Sequence, residues 1–195
     1  MGNGERRSVR NTPYSPLPTP HSAPRVIGID PGLNVTGYAV LEVATGGPKV
    51  CEAGVIRGRT RDSLTARLGE IHADLAELIA ASKPSVMALE QLYSHYKRPR
   101  TAILMGHARG VICLAAVQAG IPVASYASTR VKKTLTGHGR ATKAQMQKAV
   151  KQELRLSKLP EPHDVADALA IALCHYYAQR EWVAIARQTR AKPQA

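Results

Sequence analysis

The chain has 195 residues, enough for one domain with a sizeable core and too few for two. Its 27 Lys and Arg against 14 Asp and Glu leave a net charge of +13. About +9 of this lies between residues 25 and 180, so the body itself favours a polyanion, with nucleic acid ahead of a membrane surface. Cys51, Cys113 and Cys174 are scattered, without a C-x-x-C pair, which argues against a disulfide framework or zinc site and for thiols in a reducing cytoplasm. No run approaches 18 continuous apolar residues, so no membrane span is expected.

Residues 1–24 carry Arg6, Arg7 and Arg10 and five prolines between Pro13 and Pro24, with no apolar core of a secretion signal. They read as a disordered, polyproline-like tail. Those prolines would break an amphipathic transit helix, although organellar targeting by the tail stays open as an alternative to the cytoplasm.

The expected domain, residues 25–180, opens with three strands, 25–30, 35–43 and 50–57, joined by glycine-containing turns as an antiparallel meander. Leu64, Leu68, Ile71, Leu75 and Leu78 recur at helical spacing, predicting a helix over 63–81 capped by Asp62 or Ser63. Lys83-Pro84 ends it, and Ser85–Glu90 is an apolar strand. A basic loop from Tyr93 to Arg100 leads to a helix over 101–119 that is apolar almost all round and must be buried on more than one side. A strand at 122–126, a short helix near 128–135, a Gly-His-Gly-Arg loop at 137–140 and a helix over 142–154 follow. The last helix runs from Asp164 to about Arg180, leaving 181–195 as a flexible basic tail. This order implies an α/β sandwich around a mixed five-stranded sheet, three strands antiparallel and the later ones parallel, flanked by helices.

Four acids stand out. Asp30 ends Val26-Ile27-Gly28-Ile29, and Glu90 ends Ser85-Val86-Met87-Ala88-Leu89. Asp164 and Asp167 share one face in the first turn of the last helix. Each has an ordinary reading: Asp-Pro-Gly is turn chemistry, and acids suit a helix N-terminus. Together they describe a cluster that would repel itself unless cations occupy it, and oxygen-only ligands suit Mg²⁺ or Mn²⁺. Two such ions in a basic protein are apparatus for phosphodiester hydrolysis.

The sequence resembles the RuvC-type Holliday junction resolvases, crossover junction endodeoxyribonucleases of ribonuclease H-like fold. The matching segments span about residues 25–178. They are Gly28-Ile29-Asp30-Pro31-Gly32 with Thr36-Gly37-Tyr38, Leu89-Glu90-Gln91, Gly106-His107-Ala108-Arg109-Gly110, Val131-Lys132-Lys133, Gly137-His138-Gly139 with Lys143, and Asp164-Val165-Ala166-Asp167-Ala168-Leu169-Ala170. The resemblance implies paired, metal-dependent nicks in opposing strands of a four-way DNA junction, in recombination and repair. It implies Asp30, Glu90, Asp164 and Asp167 as catalytic metal ligands for two Mg²⁺, with Mn²⁺ able to substitute. It implies a homodimer, a branch-migration helicase complex as further partner, and a bacterial-type cytoplasmic setting. Lys132 and Lys143 match the family's basic residues near the scissile strand, and Tyr93 its base-stacking aromatic. The loop 94–100 departs from the bacterial pattern.

Tyr93, Lys97, Arg98 and Arg100 crowd one loop beside Glu90, as suits unstacked DNA. With Lys132, Lys133, Arg140 and Lys143 they form the DNA-binding candidates, the alternative being solvated faces. Gly106 and Gly110, four apart, would let another backbone approach the apolar helix, as a two-fold dimer requires. The rival readings are an RNA–DNA hybrid nuclease, an actin-like phosphate-binding hairpin, which lacks its second glycine-rich loop here, and a non-catalytic DNA binder.

Overall fold

The computed structural model describes residues 23–58, 61–92 and 99–190, with the backbone alone for residue 99 and for 181–190. Its five strands are β1 (Arg25–Asp30), β2 (Val35–Ala44), β3 (Gly47–Arg57), β4 (Val86–Glu90) and β5 (Val123–Tyr126). Its helices are α1 (Leu64–Ser82), α2 (Pro99–Gln118), α3 (Ser128–Thr136), α4 (Lys143–Glu153) and α5 (His163–Arg190). The sheet order is β3-β2-β1-β4-β5. Strands β1, β2 and β3 pair antiparallel, and β4 and β5 join parallel on the other side of β1. The mixed sheet is the one expected, and helices cover both its faces.

Strand alternation sorts the core into two layers. Ile27 and Ile29 of β1 and Met87 and Leu89 of β4 pack with Ile71 and Leu75 of α1 and Ile112 of α2. Val26, Val86 and Ala88 point the other way, into a layer with Val131 of α3, Met146 and Val150 of α4, and Leu169 and Leu173 of α5. Asp30 and Glu90 share the parity of Val26 and Val86. The same alternation that buries the core therefore aims both acids at the α5 side.

Two glycines bring α5 onto that side. A Cβ on Gly28 would lie 2.3 Å from the Ala168 carbonyl oxygen, and one on Gly37 would lie 2.1 Å from that of Asp164. Neither position tolerates a side chain while the helix stays in place. Thr36 secures the preceding turn, its buried hydroxyl donating to the Gly32 carbonyl at 2.6 Å.

Boundaries differ from expectation by more than one residue at three places. β3 begins at Gly47 because Pro48 is tolerated in an edge strand, where one side of the backbone needs no ladder partner. α2 begins at Pro99, since a first-turn proline loses an N–H that has no helical partner. α5 continues ten residues past Arg180 to Arg190, so part of the expected 181–195 tail is helical. Glu181–Arg190 contains no Gly or Pro, and the first breaker is Pro193.

The expected tail at 1–24 falls outside the described residues except for its last two. Of the three cysteines, Cys174 is buried, Cys113 half-buried and Cys51 exposed. By length and composition α2 could cross a membrane over Arg100–Gln118. However, Ala108, Ile112, Ala115 and Ala116 bury one face of it in the core, which makes it a core helix with an open flank.

Candidate active site

The parallel register sets Ile29 beside Leu89, so Asp30 and Glu90 leave the sheet as neighbours at the same end. Asp30 lies opposite Gly37 in the antiparallel register, and it is over Gly37 that the backbone of Asp164 is seated. Asp167 follows one helical turn later. The ends of two strands and one helix thus face one edge of the sheet, close enough for Glu90, Asp167 and Asp164 to act on Asp30.

Their electrostatics record the crowding. The Asp30 carboxyl is pushed up from 3.8 to about 8, first by burial, then by the charges of Glu90 and Asp167, by a hydrogen bond with Glu90 and by the charge of Asp164. Burial also raises Asp167, opposed by the Lys143 ammonium and reinforced by Glu90 and Asp164. The cluster is short of positive charge.

Among the described residues no three His, Cys, Asp or Glu side chains are gathered as a ready-made metal shell. The donor chemistry nevertheless fits a hard divalent cation. Magnesium keeps several of its waters and is held by one or two carboxylates rather than an all-protein cage, so an open, oxygen-only, charge-deficient cluster suits it. Zinc, which prefers nitrogen and sulfur donors, is poorly served.

A cavity of about 130 Å³ opens beside the acids, lined by Glu90, Ser128, Val131, Lys132, Lys143, Met146, Asp167 and Ile171. It brings Lys132 from α3 and Lys143 from α4 together with two of the acids. Lys143 is held at the start of α4 by a capping box. The Thr142 hydroxyl accepts from the Gln145 N–H, and the Gln145 side chain accepts from the Thr142 N–H.

The other basic candidates disperse. Lys133 lines a separate cavity with Arg130, Glu153 and Tyr177, since adjacent positions on a helix point about 100° apart. Arg140 and Arg100 are exposed, the first in the loop before α4 and the second in the first turn of α2. Tyr93, Lys97 and Arg98 lie outside the described residues, as does most of the 94–100 loop.

Four residues escaped the sequence reading of the site. Ser128 lines the acid-side cavity. Arg109 ties α2 to the strand ends, donating to the Glu90 carbonyl at 3.2 Å and to the Ser125 hydroxyl at 2.8 Å. Its available signal was an arginine in the middle of a largely apolar helix, within the segment Gly106-His107-Ala108-Arg109-Gly110. Arg67 and Asn34 hydrogen-bond each other beside Asp164, and nothing in their spacing distinguished them.

Comparison with known proteins converges on one group. Residues 26–175 match the family described as crossover junction endodeoxyribonuclease RuvC. A protein of that description from Rhodopirellula baltica is 61% identical over 160 residues, covering 81% of this chain and 89% of the relative. Another from Halorhodospira halophila is 47% identical over 152 residues, covering 77% of this chain and 89% of its own. Among solved structures, RuvC from Thermus thermophilus superposes with a TM-score of 0.74 at 34% identity, covering 80% of this chain and 96% of that one. The same protein in complex with Holliday junction substrate gives 0.73 at 31% identity, with the same coverage.

Proposed function

This chain belongs to the RuvC family of crossover junction endodeoxyribonucleases, and from that premise we propose that it resolves Holliday junctions by hydrolysing one phosphodiester in each of two opposing strands, with Asp30, Glu90, Asp164 and Asp167 holding divalent cations. It is a nuclease acting on DNA, and the family is metal-dependent. The observation that carries the finer reading is the convergence of these four acids on the α5 side of the sheet, with Lys132 and Lys143 lining the same cavity as Glu90 and Asp167.

Two Mg²⁺ ions, or Mn²⁺ in their place, would supply a water activated for in-line attack and stabilisation of the leaving oxygen. The protein's own groups do the rest. Lys132 and Lys143 neutralise the scissile phosphate and hold it against the acids. Burial of Asp30 keeps bulk water from screening the charges that act on the phosphate. Arg109 fixes the main chain at Glu90, so this ligand is presented by a strand end anchored to a helix.

The partner is a four-way DNA junction, and the enzyme works as a dimer. On α2, Ile103, Leu114 and Val117 are 61%, 49% and 70% exposed and alternate with His107 and Gly110 at a spacing of four and three residues. Such a seam is what two α2 helices need in order to pack together. The bacterial relatives support action in the cytoplasm.

The test is nicking of a synthetic four-way junction, with duplex and RNA–DNA hybrid controls, with and without Mg²⁺. Symmetric nicks near the crossover that vanish in chelator are expected. Equal cutting of the hybrid, or full activity in excess chelator, would refute the assignment.

A further inference from the structure

The acid cluster has a second opening. On the side away from Lys132 and Lys143, a cavity of about 420 Å³ is lined by Gly32, Leu33, Asn34, Val35, Arg67, Thr101, Leu104, Met105 and Asp164. It lies between the β1–β2 turn and the first turns of α1 and α2, with Asp164 on its rim. Its cation is Arg67, four residues after the Ser63 cap of α1.

Arg67 is held in place by a hydrogen bond and makes no ion pair among the described residues. Its Nη2 donates to the side-chain oxygen of Asn34 in the turn that follows Asp30 and Pro31. Gly58 leaves the guanidinium room, since a Cβ there would come within 3.4 Å of Nε and 2.8 Å of the Leu33 carbonyl oxygen. That Nε is buried and has no hydrogen-bond partner among the described residues. Among the described residues the ion pair is Arg25–Glu42, and Arg67 has none.

A brace between α1 and the turn would need only the bond to Asn34, which any neutral donor could supply. A guanidinium that lines an open cavity with no ion pair among the described residues, next to a site that cuts phosphodiesters, suits an anion with two acceptor oxygens. We infer that Arg67, oriented by Asn34, binds a backbone phosphate of the cleaved strand that flanks the scissile one, on the side opposite Lys132 and Lys143. The strand would then cross the acids held at both ends. This rests on the junction-cutting function above and adds a contact to it.

The experiment combines Arg67→Gln with a junction carrying one neutral methylphosphonate at each position around the cut in turn. Binding is measured in Ca²⁺ and cleavage in Mg²⁺. Arg67→Gln should weaken binding about tenfold and reduce the slope of log affinity against log salt by about 0.9, the value for one lost phosphate contact. One methylphosphonate, to one side of the cut, should weaken the wild type and leave the variant unchanged. Asn34→Ala should shift the same position by a smaller factor. If Arg67→Gln proves unstable, Arg67→Met preserves the stem and takes its place. A variant with the wild-type salt slope, as sensitive as the wild type to every methylphosphonate, would show that Arg67 only braces the turn. Wild-type cleavage of the unmodified junction, run alongside, reads the parent function separately.

Discussion

Asp30 shows how one residue can be fitted for its task and costly to its fold. Its carboxyl is held near 8, against 3.8 in a free chain, by burial first and its acidic neighbours second. Between those values the unfolded chain has released a proton that the folded protein retains. Folding therefore binds protons, and the contribution is fullest below 3.8 and lost as pH rises through about 8. Asp30→Asn should raise the melting temperature of the metal-free protein, by an amount that grows from pH 4 to pH 8 and then levels off. Each kcal/mol relieved is worth about 2–4 °C in a chain of this length. Adding Mg²⁺ should narrow the difference, because the cation offsets the same repulsion in the wild type. Cleavage by Asp30→Asn or Glu90→Gln should fall more than about 10²-fold while junction binding persists, the scale of losing one charge stabiliser at the reacting centre. Scanning calorimetry across pH and a gel-shift assay check the two halves. A variant less stable than wild type at pH 8 would show that the Asp30 charge is already compensated.

Among the elements, α5 decides whether the site exists, and it depends on side chains that are absent. Gly37→Ala would push a methyl group to 2.1 Å from the Asp164 carbonyl oxygen, so the helix tip must move. Overpacking of this kind costs about 1–3 kcal/mol, but the larger loss should be in kcat, since Asp164 travels with the displaced backbone. Gly28→Ala meets Ala168 and Ala172 deeper in the helix and should cost similar stability with a smaller loss of turnover. Matched urea melts and single-turnover rates separate the two, and equal kinetic losses would count against helix placement as the cause. Thr142→Ala should remove about 1 kcal/mol by opening the capping box and should slow cleavage through the frayed first turn that carries Lys143.

The elements also show where the sequence was legible. Apolar runs stopping at Asp30 and Glu90 marked two buried strands and the carboxylates at their ends, because strand period and burial are local signals. Leu64 to Leu78 marked α1 for the same reason. Arg67 was invisible because its meaning lies in a 33-residue separation from Asn34 that only the packed turn closes. Lys132 and Lys133 were both DNA-binding candidates, and helix phase places them on different cavities.

At the scale of the whole molecule, the basic body and the open flank of α2 set the assembly. Burying Leu114 and Val117 against a second copy should contribute about 1.5–3 kcal/mol for each side chain fully covered. Leu114→Asp with Val117→Asp should give a monomer in sedimentation at micromolar concentration. Its melting temperature should change little, since both residues are exposed in the isolated chain. Its nicks on the two strands should become uncoupled, appearing singly rather than in pairs. A double variant that still sediments as a dimer would place the interface elsewhere.

The seating of α5 over Gly28 and Gly37 has a consequence for how the protein is made. Asp30 and Glu90 emerge early from the ribosome, but the acids that complete the cluster sit at 164 and 167, on the last helix of a chain synthesised from its N-terminus. Until that helix docks, the nascent sheet presents two acids and no closed site. A chain truncated before α5 should therefore nick no junction, and a cleavage assay of that chain beside the intact one, at matched concentration, checks this.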